Sequence, residues 1–293
     1  MLELPQNKTP PSFLGNSRQA FLQLFELLRL GLIAVVFPVL IFALLAVTKL
    51  FHLPSFFGLE IYRYDLIFFA CVFIQWVMWR TGLETLAEVK VIAVFHVLGL
   101  LLEIFKTYVG SWAYPEFAIL KISSVPLYSG FMYASVASFM IQCWRLLHFR
   151  LEHWHSRVAP WILTLGIYVN FFSHHLLPDA RWVLMALVVF VFWRTKLHFD
   201  LKGVQYQMPL VLAFALIGWF IWLAENIATY FNAWQYPTQR GAWQMVDSSK
   251  LSSWCLLVIV SFIVVAALKD PRARWRAPQG NEVECRTTAK SVF

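Results

Sequence analysis

Apolar positions along the chain fall into long blocks. A window of about 19 residues, the helix length that crosses roughly 30 Å of hydrocarbon, picks out eight of them. They run over 30–50, 63–80, 89–109, 125–146, 159–177, 180–196, 208–231 and 251–268. The pattern predicts an all-α fold, a polytopic membrane helical bundle of about eight transmembrane helices. Little more than Pro178-Asp179 separates the fifth and sixth blocks, so 159–196 is either two full spans or a re-entrant hairpin. Before the first span, Phe21, Leu24, Phe25 and Leu28 recur at i, i+3, i+4, i+7 among Arg18, Gln23, Glu26 and Arg29. That spacing suits an amphipathic helix lying on the membrane surface, or a long first helix protruding from it.

Composition agrees with a lipid solvent. Of 293 residues, 60% are hydrophobic and 14% charged, with 27 Phe, 14 Trp and 10 Tyr, and mean hydropathy is +0.63. A soluble surface needs about a quarter to a third of its positions charged, so a soluble globular protein is excluded, and disorder with it. The net charge of +8 is spread along the chain and not gathered on one exposed face, which argues against nucleic acid as a partner. Its distribution orients the bundle instead. With eight spans, the termini and even-numbered loops collect 17 Lys and Arg, the other side 7, accounting for all 24. Cytoplasmic loops hold the excess, so both ends are expected in the cytoplasm. The first twelve residues are polar and hold prolines, so no cleavable signal peptide is expected. Cys71, Cys143, Cys255 and Cys285 form no C-x-x-C pair and suggest neither disulfides nor zinc.

An internal repeat organises the chain. Residues 103–115 and 225–237 share E-x3-T-Y-x3-W-x-Y-P, six identities in thirteen positions. Trp79-Arg80-Thr81 matches Trp193-Arg194-Thr195 before the motif, and Lys121-Ile122-Ser123-Ser124 matches Lys250-Leu251-Ser252-Ser253 after it. A unit of four spans enters the membrane in the same direction twice, so the copies are expected to be parallel, about an axis along the membrane normal. The expected organisation is a cytoplasmic tail with an interfacial helix over 1–29, membrane repeats over 30–148 and 149–268, and a basic polar cytoplasmic tail over 269–293. Trp112, Tyr114, Trp234 and Tyr236 then fall where interfacial aromatics belong, and Arg80 and Arg194 where they snorkel to lipid phosphates.

The chemistry is expected at the repeated glutamates. Glu103 and Glu225 fall in the outer half of the hydrocarbon, where an ionised carboxylate costs on the order of 2–3 kcal/mol and tends to be protonated or paired. Either they form a site or each locks the bundle through a hydrogen bond or a pairing with Lys106. His96, Gly99, Glu103, Lys106, Thr107 and Gly110 share one face of the third span; Gly218, Trp222, Glu225, Thr229 and Asn232 share one face of the seventh, with Asn226 alongside. Span five adds Asn170, His174 and His175 at the same level. Adjacent histidines lack the i, i+4 spacing that sets two imidazoles on one helical face, so neither a metal nor another cofactor is expected there. His148, His153 and His155, among arginines, read as a solvated cytoplasmic loop. No P-loop, dinucleotide fingerprint, G-x-S-x-G or H-E-x-x-H occurs.

The strings Glu103-Ile-Phe-Lys-Thr-Tyr-Val-Gly-Ser-Trp-Ala-Tyr-Pro-Glu, Val125-Pro-Leu-Tyr-Ser-Gly-Phe-Met-Tyr, Asn170-Phe-Phe-Ser-His-His and Trp222-Leu-Ala-Glu-Asn-Ile-Ala-Thr resemble an uncharacterised family of bacterial integral membrane proteins, domain-of-unknown-function family eight-one-seven. The resemblance spans about 20–268 and implies a bacterial cytoplasmic (inner) membrane protein, without an activity. A narrower likeness, through Glu103, Gly110, Trp112 and Tyr114, is to carotenoid cyclase and hydratase membrane proteins, with Asn232 replacing the glycine in the second copy. Three functions stay open: an acid–base enzyme on a lipophilic, lipid or isoprenoid-like substrate; a proton-coupled small-solute transporter; and a non-catalytic membrane scaffold. The expected partners are membrane lipids and such a substrate.

Overall fold

A computed structural model describes residues 13–51, 61–154 and 158–269, with side chains from Arg18 onward. The expectations for the extreme N-terminus, for His155 and Arg157, and for the basic tail with Cys285 fall outside the described residues. Helices dominate: α1 Phe13–Ala34, α2 Val36–Leu50, α3 Arg63–Arg80, α4 Leu86–Tyr108, α5 Ser129–Leu146, α6 Ala159–Ser173, α7 Arg181–Phe192, α8 Leu210–Tyr230 and α9 Lys250–Lys269. From α2 onward each lies within or close to one of the eight apolar blocks.

The helices differ in how far they satisfy the demands of a bilayer. Among the described residues, α8 and α9 are long and apolar enough to cross one, and α1 with α2 would make a third span despite a bend of 62°. The bend sits at Val35, five residues past the predicted start of the first span, and it rules out a straight protruding helix. In α4 the composition is diluted by Glu88, Lys90, Glu103 and Lys106, of which all but Lys90 are buried inside the bundle. Its outward residues Val94, Val97 and Leu101 are exposed and apolar, the distribution expected of a lipid-facing helix with a polar seam. At 15 and 12 residues, α6 and α7 rise only about 22 and 18 Å, short of the roughly 30 Å of hydrocarbon.

The structure corrects the all-α expectation in the connections. A hairpin of β1 Lys121–Ile122 and β2 Val125–Pro126 precedes α5, and a three-stranded antiparallel sheet joins β3 Arg150–Glu152, β4 Lys196–Leu201 and β5 Val204–Pro209. Between β4 and β5 the chain reverses through Lys202 and Gly203, with φ of 50° and 77°. Two consecutive positive φ values match the twist of a two-residue hairpin, and glycine takes one of them at no steric cost. The apolar blocks had absorbed the ends of these strands because a short strand and the edge of a buried helix look alike in hydropathy.

Helix packing repeats itself. α4 lies along α5 as α8 lies along α9; α2 packs on α5 as α6 does on α9; α4 touches α6 as α8 touches α2; and α5 packs against α9. Close approach of α4 and α5 depends on Gly99 and Gly130, where a Cβ would come within 3 Å of Tyr133 and His96 respectively. Gly218 makes the same room for Cys255 between α8 and α9.

One end of the bundle carries the sheet, α1 and a buried polar cluster. Glu84 accepts hydrogen bonds from Gln75 and Ser138. Glu88 closes a capping box with Thr85 and takes Arg145 from α5 and Lys269 from α9. The phenol of Tyr206 in β5 reaches Gln23 of α1, while Phe21, Leu24, Phe25 and Leu28 are left exposed. The other end of the bundle holds the repeated motif.

Candidate functional site

Both glutamates are inside the protein, Glu103 3% and Glu225 2% exposed. Each is satisfied by aromatic donors. The Trp112 indole and the Tyr114 phenol donate to Oε2 of Glu103, both at 2.6 Å, and Tyr133 donates to Oε1 at 2.7 Å. Tyr236 donates to Oε1 of Glu225 at 2.5 Å and the Trp254 indole to Oε2 at 2.6 Å. Tyr114 and Tyr236 both lie eleven residues after their glutamate. Tyr133 and Trp254 are each the fifth residue of the following helix, α5 or α9. Burial, reinforced by the adjacent glutamates, pushes the Tyr114 and Tyr236 phenols well above their usual range, so they remain donors.

The two motifs also join to each other. Ala113 and Gln235, matched positions of the repeat, form an antiparallel bridge, N–H to carbonyl at 2.9 and 2.8 Å. Trp112 meets Tyr236 edge-on, ring centroids 5.9 Å apart. Turning the chain into this bridge requires a left-handed residue after each helix, Gly110 at φ 77° and Asn232 at φ 61°. Glycine and asparagine are the residues that adopt this conformation most readily, which explains why asparagine replaces glycine in the second copy.

This geometry corrects the placement of the aromatics. Tyr114, Trp234 and Tyr236 are 7 to 8% exposed and turned into the bundle, and the two tyrosines are held there as donors to the buried carboxyl groups. A second correction concerns the repeat's flanks. Lys121–Ser124 runs through the β1–β2 hairpin, whereas Lys250–Ser253 opens α9, so this similarity does not mark equivalent places.

Lys106 does not pair with Glu103. Its ammonium lies 3.3 Å from Nε2 of His174 and 3.1 Å from Nε2 of His175. Nδ1 of His174 is 2.9 Å from the Asn170 carbonyl, which places the proton on Nδ1 and leaves Nε2 to accept from lysine. Asn170 also pins the α6–α7 turn, giving a hydrogen bond to Asp179 and receiving one from the Ala180 amide. Partial burial raises the Asp179 carboxyl, but hydrogen bonds from Arg181 and Asn170 outweigh it and hold the group below its usual range.

Other candidates have local work. Thr229 receives the Trp243 indole, and Asn226 receives the Val246 amide, which holds the segment before α9. Nδ1 of His96 and Oγ1 of Thr107 are buried without a hydrogen-bond partner among the described residues. His96 packs against the Phe131 ring and the backbone side of Gly130. At the opposite end of the bundle, His153 pairs with Glu152, which also binds His198, so that loop is organised through the sheet.

Between the halves lies a cavity of about 170 Å³ whose walls include Tyr133, Tyr236, Trp112, Lys106, His174 and His175. The carboxyl groups stand behind its wall, each reached through a phenol that lines it. Sequence reading did not single out Tyr133, Trp254 or Lys250 for this site; the signal available was an aromatic at the same position of two matched helices.

The fold and site define a helical bundle with outward apolar faces and a buried polar seam, a form suited to membrane association. The chain belongs to the family described as protein of unknown function (DUF817), which matches residues 23–262. A relative from Bacillus subtilis (strain 168), the uncharacterized protein YoaT, is 53% identical over 234 residues, 80% of this chain and 87% of that protein. No solved structure matches.

Proposed function

We propose that this is a polytopic membrane protein of about eight membrane helices in two parallel repeats, 30–148 and 149–268, with both ends in the cytoplasm of a bacterial inner membrane. The short α6 and α7 form a hairpin that does not reach across the full hydrocarbon. The seam between the repeats is an acid–base site for a lipophilic, lipid or isoprenoid-like substrate. The observation that carries this reading is the pair of buried glutamate–tyrosine contacts, Glu103 with Tyr133 and Glu225 with Tyr236, whose phenols line one cavity. When a carboxylate is ionised, it accepts the phenol proton while the phenol oxygen removes one from the substrate. When it is protonated, it returns a proton to the phenol oxygen while the phenol protonates the substrate. The aromatic walls favour an apolar substrate and a developing cation. His96, Thr107, Asn226 and Thr229 support the helices that hold these pairs.

The test is lipid profiling of a deletion strain complemented with wild type, Glu103→Gln or Glu225→Gln. The expected outcome is a lipophilic compound that accumulates on deletion and is cleared only by wild type. Full rescue by both variants, present at wild-type levels in the membrane, overturns the reading.

One observation favours the proton-coupled carrier as a second reading: α4 holds buried Glu88 and Glu103 near its two ends, with His96 between them. Proton-coupled solute flux into proteoliposomes, lost in Glu103→Gln, would support it over the enzyme. A scaffold predicts that substitutions at both glutamates destabilise the protein and change nothing else.

A further inference from the structure

We propose that the cavity binds the anionic head group of an amphiphile, phosphate-like in chemistry; this names the substrate class of the reaction proposed above and rests on that reading. Its charged lining is all basic: Lys106 from α4, Arg181 from α7 and Lys250 from α9. Among the described residues no carboxylate lines it, Asp179 meeting Arg181 from outside the lining. Among the described residues neither lysine forms an ion pair, because Glu103 and Glu225 have their oxygens occupied by indole and phenol donors. The Lys250 ammonium rests over the Tyr236 ring, 5.0 Å from its centroid. Lys106 gives two donors to neutral imidazoles and has a third to offer.

The arginine is only partly committed, its Nε paired with Asp179, and its counterpart in the other half shows what a fully committed one looks like. Arg63 and Arg181 are the first residues of α3 and α7, the two helices that end near Trp-Arg-Thr. Arg63 is saturated: Nε donates to Thr48, one terminal nitrogen to Glu116, and the other to the carbonyls of Leu45 and Phe231. It therefore seals its half with protein acceptors. Arg181 has Asp179 at 2.6 Å on Nε and two contacts at 3.4 Å on one terminal nitrogen. Its second terminal nitrogen has no acceptor among the described residues. Three cations with spare donors around one opening favour a multiply charged oxyanion, which takes several donors at once. A cavity of about 170 Å³, with space for roughly six waters at about 30 Å³ each, accommodates a phosphate or a diphosphate. The surrounding helices expose apolar faces on which an acyl or prenyl chain lies, so the head group enters and the chain remains in lipid.

Full-length protein in phosphatidylcholine nanodiscs, titrated calorimetrically with inorganic phosphate, dodecyl phosphate and dodecanol, tests this. Dodecyl phosphate is expected to bind saturably, at least tenfold more tightly than either of the others. Arg181→Gln and Lys250→Gln are each expected to weaken it tenfold or more, and Lys49→Gln, altering an exposed cation outside the cavity, to leave it unchanged. No saturable binding of either phosphate, or equal affinity in wild type and the two cavity variants, overturns the proposal. Inorganic phosphate binding as tightly as dodecyl phosphate overturns the amphiphile and assigns the site to a free anion. Failure of the acid–base reading is seen separately: Glu103→Gln would then rescue the deletion strain while Lys250→Gln still loses binding.

Discussion

At the scale of single residues, the site is governed by the need to satisfy carboxyl groups away from water. Replacing Glu103 with leucine strands three donors at about 1–3 kcal/mol each, a loss large enough to deplete folded protein. Glu103→Gln behaves differently. The amide oxygen still serves Trp112 and Tyr114, and Tyr133 rotates to accept from the amide nitrogen, so the melting temperature in detergent is expected to stay close to wild type while proton transfer is lost. A melting temperature for Glu103→Gln as low as for Glu103→Leu would show that charge, not the donor arrangement, holds the motif. The left-handed positions make a second test. Gly110→Ala and Asn232→Ala are each expected to cost about 1 kcal/mol, and Asn232→Gly very little. Thermal unfolding of the three variants measures this ordering. The paired glutamates were legible from the repeated motif, and so was the asparagine-for-glycine exchange. Their donors were not, because Tyr133 and Trp254 lie on helices whose approach no spacing within one helix reveals.

Elements set the distances between those residues. Gly99 admits Tyr133 to the face of α4, and a methyl group there displaces the ring that donates to Glu103. Gly99→Ala is therefore expected to lower stability by about 1–3 kcal/mol and to impair function more than its distance from Glu103 along the helix implies. Normal rescue of the deletion strain by a stable Gly99→Ala protein would separate Tyr133 from the chemistry. The opposite end of α4 makes a pH prediction. Burial raises the Glu84 carboxyl above its ordinary value of 4.5, against the opposing hydrogen bonds from Ser138 and Gln75. A group that binds its proton more tightly when folded contributes stability that is fully present below its unfolded pKa and lost as pH rises through the folded one. The melting temperature of wild type minus that of Glu84→Gln should thus fall as pH rises above 4.5; a flat difference would mean that Glu84 does not titrate as a buried acid. Helix positions were readable from hydropathy. The β4–β5 hairpin was written in the chain as a short alternating run around Lys202-Gly203, but blocks chosen for bilayer length pass over a six-residue period of two.

For the molecule as a whole, the packing of α2 to α5 resembles that of α6 to α9, and the Ala113–Gln235 bridge brings the matched motifs together. The proposed topology places the Lys202-Gly203 turn in the cytoplasm and the segment around Arg240 outside. Single cysteines at Gly203 and Arg240, in a background without the native cysteines, should react with an impermeant maleimide from opposite sides of the membrane. Labelling of both from the same side would overturn the parallel repeat. Hydropathy and the repeat were sufficient for apolar helices suited to membrane association, a helical class and two candidate acids, because those depend on composition and on periodicity along one chain. Which donors meet the acids, why Lys106 turns to two histidines and not to Glu103, and how three cations come to line one cavity were decided only by tertiary structure. They are relations between helices far apart in sequence, set by where small residues let backbones close and where buried polar groups find partners.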